Sequence, residues 1–491
     1  LGFSEKFSKK VPRGILTIIA IMILFSVHYG LAMKFPINSD SANVINMAAE
    51  IYHGNVLLSG WQVGPEPFYT SDVIFYLIPM LITGFHYKLG YIVTAIMYTT
   101  VVIMIFLLGK EKSYARFIVL GFVSIPCVFL ARMSLIPGIH TGSMMLVLIS
   151  LWFLFKKNSI WLYGLFLYLA SFGDPFVIYY FVLPMLITAA LLLIKSNKRE
   201  YVKWLAATLT PVILSKFTLK IFELSGGFTQ IETSKVNFVS FSDLGKTFII
   251  TIQGLLEMYN ANFFGKEVFS FETLIILFHF LLFISILIVF IKACINFTKL
   301  EDLSQFLVIA CLINLAEYIF SNQSFDLGTT RYLFPFFVFS AILVSRYLSI
   351  DYYIRNKLLY YMVMVLLLVS FVSPLNFKYN SNTELESFLI SKGLVNGYAP
   401  YWYASSLTIS TKEQVRVSPV MVKDNKIKPY LMYANKYSYI KGGQFVLFPS
   451  DTNNDGVNLS VAENTFGKPD EVHQIANNTI LIWNKKIILD L

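Results

Sequence analysis

Long apolar stretches recur along most of this chain, and each is too poor in charge to serve as an ordinary helix of a soluble domain. A helix needs about 20 apolar residues to cross the hydrocarbon core of a bilayer. Candidate spans lie at 14–33, 91–109, 115–132, 142–155, 159–172, 175–194, 204–222, 273–297, 304–321, 333–350 and 358–374. Backbone amides in lipid must be satisfied within their own segment, so these stretches fold as membrane helices. The composition agrees: 56% of residues are hydrophobic, 16% aromatic and only 14% charged, where soluble domains carry roughly 25% charged residues. The expected fold is a polytopic α-helical membrane protein.

One further apolar segment, 72–86, is shorter and interrupted by Pro79. Whether it crosses decides the topology of everything after it. If it stays at the membrane surface as a juxtamembrane or re-entrant helix, eighteen basic residues before residue 375 share the side of the N-terminus and nine lie opposite. If it crossed, the basic loops Lys110–Arg116 and Lys195–Lys203 would turn outward, against the preference of Lys and Arg for the cytoplasmic side. The expectation is therefore about 11 crossings of the cytoplasmic membrane, with the N-terminus inside and the C-terminus outside. The net charge of +10 follows from membrane sidedness and needs no nucleic-acid partner. Lys6, Lys9, Lys10 and Arg13 precede an apolar run without a small-residue cleavage site, which reads as an uncleaved first helix. Cys127, Cys294 and Cys311 all fall inside apolar stretches, so neither a disulfide nor a cysteine metal site is expected.

With this orientation the outer face collects the 35–71 loop, the Pro137–His140 turn, Asp174, the 223–271 loop, the Asp326–Arg331 turn and the tail. From about residue 375 apolar runs shorten to strand length, as in Gly443–Phe448 and Thr479–Trp483, with an Asn/Asp/Gly cluster at Asp451–Gly456. Residues 383–392 have the pattern of one amphipathic helix. The chain divides into a membrane domain, 1–374, and a small extracytoplasmic α/β domain, 375–491.

Asp40, in Asn38-Ser-Asp-Ser41 behind the first span, is either a general base at the membrane boundary or, with Ser39, the cap of a helix over 42–53. Glu66 and Asp72 close the same loop, and Asp72 with Ser71 equally suits a cap of 72–86. Arg331 presents a planar fork of donors suited to phosphate; the plainer reading bonds it to lipid headgroups or to Asp326. Lys216 and Lys220, four apart, share a helix face. They either snorkel or join Arg132 and Arg331 in an outward-facing phosphate site. Asp174 between Gly173 and Pro175 suits a tight turn or a substrate contact, and His140 is structural or substrate-facing. Asn314 and Glu317 lie on one face of a span, for function or for pairing with another helix. No Walker loop, H-E-x-x-H, C-x-x-C or G-x-S-x-G motif is present, which argues against an ATPase or an ordinary protease.

An acidic residue just after the first helix, juxtamembrane helices at 42–53 and 72–86, a long loop at 223–271 and a small external domain form one pattern. It resembles the GT-C glycosyltransferases, membrane enzymes such as protein O-mannosyltransferases, lipid A aminoarabinose transferases and oligosaccharyltransferases. Arg331-Tyr-Leu-Phe-Pro335 is similar to external-loop motifs of several members. Gly397-Tyr-Ala-Pro-Tyr-Trp-Tyr-Ala404 is similar to a pattern in bacterial surface glycosyltransferases. Two features depart from the family: Ser39-Asp40-Ser41 stands in place of an acidic pair, and His140 stands where oligosaccharyltransferase-like members carry D-x-D.

The resemblance implies sugar transfer from a polyprenyl-phosphate donor lipid to a hydroxyl of a cell-surface glycan, polymer or protein. In that reading Asp40 is the base, and Arg331 with Lys216, Lys220 and Arg132 holds the lipid phosphate. Asp72, Glu66, Asp174 and His140 line the substrate site, and Trp61, Tyr69, Tyr398 and Trp402 stack on sugar rings. No cofactor is firmly implied; the missing D-x-D favours a monophosphate donor without a divalent metal. A flippase or transporter of lipid-linked glycans, a surface-polysaccharide polymerase and a noncatalytic assembly subunit remain alternatives.

Overall fold

A computed structural model describes residues 13–111, 115–231, 236–348, 383–450 and 455–490. Up to residue 348 the chain is helical: α1 (Arg13–Ala32), α2 (Ser39–Tyr52), α3 (Ile74–Thr83), α4 (Leu89–Leu108), α5 (Ala115–Ser124), α6 (Val128–Arg132), α7 (Thr141–Phe155), α8 (Ile160–Gly173), α9 (Leu183–Ser196), α10 (Arg199–Leu224), α11 (Leu244–Met258), α12 (Phe271–Ile295), α13 (Asp302–Phe320) and α14 (Phe334–Tyr347). Seven described stretches are long and apolar enough to cross a membrane: Gly14–Ala32, Leu89–Leu108, Ile178–Ser196, Arg199–Leu224, Phe271–Ile295, Asp302–Phe320 and Leu327–Tyr347. The expected span 358–374 and the boundary at 374 lie outside the described residues.

The other differences from eleven crossings have local causes. Segment 115–132 is not one helix, because Pro126 interrupts it after Ser124. The Cys127 thiol then accepts a hydrogen bond from the Leu130 amide (3.4 Å) and starts the five-residue α6. Helices α7 and α8 have 15 and 14 residues, about 21–23 Å of axis against roughly 30 Å of hydrocarbon. Segment 72–86 opens as a wide turn of π-helix, Tyr69–Val73, and continues as α3 until Gly84, at φ +74°, ends it. It too is shorter than a crossing.

Burial separates a centre from a periphery. In Leu327–Tyr347, 78% of the best apolar window is buried in the protein, against 17% in Gly14–Ala32 and 17% in Arg199–Leu224. The central stretch carries Arg331 at its beginning. At its other end the Arg346 guanidinium bonds Glu301, the Leu108 carbonyl (2.8 Å) and the Ser304 hydroxyl (3.1 Å). Tyr201 donates to Asp302 (2.9 Å) and Lys195 to the Thr298 carbonyl (2.8 Å). Five helix ends are thereby tied together at the pole away from Arg331.

The loops between helices supply β1 (Trp61–Val63) and β2 (Thr229–Gln230). The tail contains α15 (Thr383–Ser391), β3 (Asn396–Pro400), α16 (Tyr401–Ser410), β4 (Arg416–Lys423), β5 (Lys426–Pro429), β6 (Ala434–Asn435), α17 (Tyr437–Ile440), β7 (Gly443–Pro449), α18 (Leu459–Phe466), β8 (Glu471–Ile475) and β9 (Asn478–Ile487). Six strands form a sheet in the order β5-β4-β3-β7-β9-β8, with β3 parallel to both neighbours and the other pairs antiparallel. Successive side chains of a strand face opposite sides. Phe445, Leu447, Ile480 and Ile482 accordingly pack with Leu385, Leu389 and Leu407 on one face. Val446, Phe448, Leu481 and Trp483 pack with Val461 on the other. This is the small α/β domain expected from the period-two runs.

The tail is joined to the membrane part. Strand β6 pairs antiparallel with β1, and β1 pairs parallel with β2, so one small sheet takes a strand from each of the two long loops and from the tail. Helix α16 packs on α2: the Ser405 hydroxyl donates to Asn43 Oδ1 (2.7 Å), and Asn43 Nδ2 donates to the Tyr401 hydroxyl (3.0 Å).

Candidate active site

Helix α2 begins at Ser39, three residues before the expected start, because Asn38 is its cap: the Asn38 side chain accepts from the Ser41 amide at 3.0 Å. The cap role weighed for Asp40 and Ser39 therefore falls to Asn38. Asp40 is left exposed in the first helical turn, where the helix dipole favours an anion. The Tyr401 hydroxyl donates to Asp40 Oδ1. No described residue bonds its second oxygen.

Glu66 lies between Pro65 and Pro67, whose rings restrict the backbone of this segment. The Tyr433 hydroxyl donates to the Glu66 carbonyl (2.8 Å) and pins the segment to the tail. Burial raises the Glu66 carboxyl above its ordinary range, opposed by the charges of His140 and Arg331. Among the described residues no other side chain hydrogen-bonds its carboxylate.

Beneath these groups lies a tightly bonded knot. Phe68 takes a left-handed conformation, φ +53°, and its amide donates to the Gly173 carbonyl (2.8 Å). The π-turn is thereby pressed between the start of α7 and the end of α8. A Cβ at Gly142 would lie 2.0 Å from the Ser71 carbonyl oxygen, and one at Gly173 would lie 2.6 Å from the Ser71 amide. Only glycine permits so close an approach. Asp72 is buried there and accepts from the Ser71 hydroxyl (2.8 Å). It lies outside the candidate spans, and burial pushes its carboxyl up to about 7. It does not cap α3, which has no side-chain cap.

Asp174 is fully buried and saturated: Oδ2 accepts from His140 Nδ1 (2.8 Å) and the Ser143 hydroxyl (2.6 Å), and Oδ1 from the Phe176 amide (3.0 Å). Burial alone would lower the His140 pKa, but the adjoining Asp174 carboxylate overrides it and raises it. The His140 ring is enclosed by Phe68, Phe176 and Tyr332, with centroids 6.0, 5.1 and 5.5 Å away.

Arg331 sits in the 3-10 turn Leu327–Leu333 that leads into α14. The Asp326 side chain accepts from the Thr329 amide (2.9 Å) and so caps this turn. Asn314 holds the junction from the neighbouring span, donating to the Tyr332 carbonyl (2.9 Å) and accepting from the Phe336 amide (3.0 Å). The guanidinium lies 5.2 Å from the Tyr332 ring centroid, and its one side-chain hydrogen bond among the described residues, to the Tyr332 hydroxyl, is long at 3.5 Å. Its Nε is shielded from solvent and has no partner among the described residues, and the carboxylates of Asp40 and Glu66 act on its charge. Asp40, Glu66 and Arg331, far apart in sequence, thus converge on one region.

The other expected site residues divide. Lys216 and Lys220 line a separate cleft of about 360 Å³ with Ser171, Pro175 and Gln230. Lys220 is taken by Glu223 (2.6 Å), an (i, i+3) pair on its own helix, and Arg132 lies exposed at the end of α6. Neither Arg132 nor Arg331 is among the residues lining that cleft. Tyr69 donates to the Val56 carbonyl (2.8 Å) and packs among Phe172, Phe222 and Phe228. Tyr398 is buried in the tail, stacked between Tyr439 and Phe466. Both rings are occupied by core contacts. Trp402 is exposed, and Trp61 is buried with no acceptor for its indole Nε1–H among the described residues. Tyr401 and Tyr433 are site residues that no motif had singled out for these bonds, although Tyr401 lies inside the Gly397–Ala404 stretch. Among the described residues no group of three His, Cys, Asp or Glu is arranged to hold a metal ion.

No protein-family model matches this chain, and no curated protein matches it in sequence.

Proposed function

We propose that this protein is a polyprenyl-phosphate-dependent glycosyltransferase acting at the outer membrane face. The observation that carries the reading is Arg331: a shielded guanidinium at the mouth of the most buried candidate span, with an unpartnered Nε and two carboxylates, Asp40 and Glu66, within electrostatic reach. A buried polar group without a partner costs roughly 1–3 kcal/mol, which a bound phosphate oxygen recovers. The donor's isoprenoid tail stays in lipid while its phosphate rises to Arg331.

Asp40 takes the proton of the acceptor hydroxyl, whose oxygen attacks the anomeric carbon of the donor sugar. The bond from that carbon to the phosphate oxygen breaks, and the electron pair leaves on polyprenyl phosphate. Arg331 stabilises the charge developing there. Tyr401 holds one oxygen of Asp40 and leaves the other for the proton.

The test uses the full-length protein in nanodiscs with a polyprenyl-phosphate sugar. Arg331→Ala is expected to weaken donor binding and to lower transfer by about 10²–10³-fold, with Arg331→Lys recovering part of each. Unchanged donor affinity in Arg331→Ala would refute the phosphate role. Donor moved between leaflets without release of polyprenyl phosphate would favour a transporter.

A further inference from the structure

A second cleft, of about 260 Å³, opens between α2, β1 and the tail. Its charged lining is balanced, with Glu50 and Glu413 against Arg416 and Lys441, and three aromatic residues, Trp61, Tyr433 and Tyr437, contribute to the wall. Trp61 is only 6% exposed, and its Nε1–H has no acceptor among the described residues. A buried indole N–H ordinarily finds a partner. The cleft is therefore lined by a residue whose buried N–H has no acceptor among the described residues.

The cleft is also connected to the candidate base. Asp40, Asn43, Asn46 and Glu50 are spaced three, three and four residues apart, so they form one stripe along α2. The first two bond Tyr401, Asn46 donates to the Ser405 carbonyl (3.4 Å), and Glu50 accepts from Asn435 (3.3 Å). At about 1.5 Å per residue, Asn46 and Glu50 lie about 9 and 15 Å along the helix from Asp40.

We infer that this cleft binds an uncharged segment of the acceptor saccharide, one end of which reaches Asp40. The inference rests on the glycosyl-transfer reading and narrows its acceptor to a glycan. Sugar hydroxyls both donate and accept, so one ring can use the Trp61 N–H, a carboxylate and an amide together. Its C–H face suits an aromatic wall. An anionic polymer gains nothing from a lining with as many acids as bases, and Glu50 and Glu413 would repel its phosphates.

The test is direct binding to the full-length protein in nanodiscs, without donor lipid. Saturation-transfer NMR with tetrasaccharides of glucose, galactose, mannose and N-acetylglucosamine is expected to show at least one ligand. Trp61→Phe keeps a ring but removes the N–H, and is expected to weaken that ligand about tenfold, as for loss of one hydrogen bond. Tyr437→Ala at the exposed rim should weaken it as well, and serves as the probe if Trp61→Phe does not fold. Absence of binding by all four tetrasaccharides, equal affinity in the folded variants, or binding of a serine-rich decapeptide in their place overturns the inference. Because this test measures no transfer, saccharide binding together with normal turnover by Asp40→Asn in a separate transfer assay would remove the catalytic reading and leave this cleft standing.

Discussion

The knot of Asp72, Asp174 and His140 and the face formed by Asp40, Glu66 and Arg331 contain the same kinds of charge, yet they are bonded in opposite ways. Asp174 accepts three hydrogen bonds and is fully enclosed. Asp40 is exposed with one oxygen held, and Arg331 has a shielded Nε without a partner. A fully enclosed carboxylate already bonded by three donors is closed to a ligand; an under-bonded cation beside carboxylates with an open oxygen is not. The first arrangement holds α7, α8 and the π-turn together, and the second has the free valences that chemistry requires.

Three substitutions break or sharpen this contrast. Asp174→Ala leaves the buried His140 ring and the Ser143 hydroxyl without their acceptor, and each unsatisfied buried group costs about 1–3 kcal/mol. A large fall in the thermal midpoint of the detergent-solubilised protein is expected; an unchanged midpoint would show that the knot is not structural. Tyr401→Phe removes the one hydrogen bond on Asp40. Transfer should fall about tenfold, a barrier change of about 1.4 kcal/mol, with a small change in melting, and full activity would free Asp40 from the tail's control. A third effect is a pH dependence at Asp72. Its carboxyl is pushed up to about 7 by burial, so its charged form is disfavoured in the fold. That penalty is absent below the ordinary carboxylate range and grows until the pH passes about 7. Asp72→Asn should therefore gain stability relative to the unaltered protein between about pH 4 and pH 7, measured by melting across that range. A difference independent of pH would contradict the burial argument.

Much of the scaffold was legible in the sequence, because apolar length and period-two alternation are local signals. The long uncharged runs mark seven described helices able to cross a membrane, and Gly443–Phe448 and Thr479–Trp483 mark tail strands. Helix ends were less legible. Pro126 interrupts 115–132 despite an apolar run that continues through it, and Asn38 caps α2 in a stretch where three neighbouring polar residues were equally able. The site was legible by residue type at Asp40 and Arg331 but not by partnership. Tyr401 meets Asp40 across 361 residues, a separation no local pattern encodes. Residue type also does not reveal burial: Tyr69, Tyr398 and Trp402 looked alike as sugar platforms, yet the first two fill cores and only the last is exposed. Lys216 and Lys220 share a helix face as their spacing requires, but Glu223, three residues on, claims one of them.

Comparing two carboxylates in one assay tests the account most directly. Sugar transfer and thermal unfolding would be measured side by side for Asp40→Asn and Asp72→Asn, with donor lipid and acceptor supplied in nanodiscs. The account predicts that Asp40→Asn melts like the unaltered protein and loses transfer by about 10²–10⁴-fold, the range for a general base, while Asp72→Asn changes melting and keeps most of the transfer. Normal turnover by folded Asp40→Asn would contradict it.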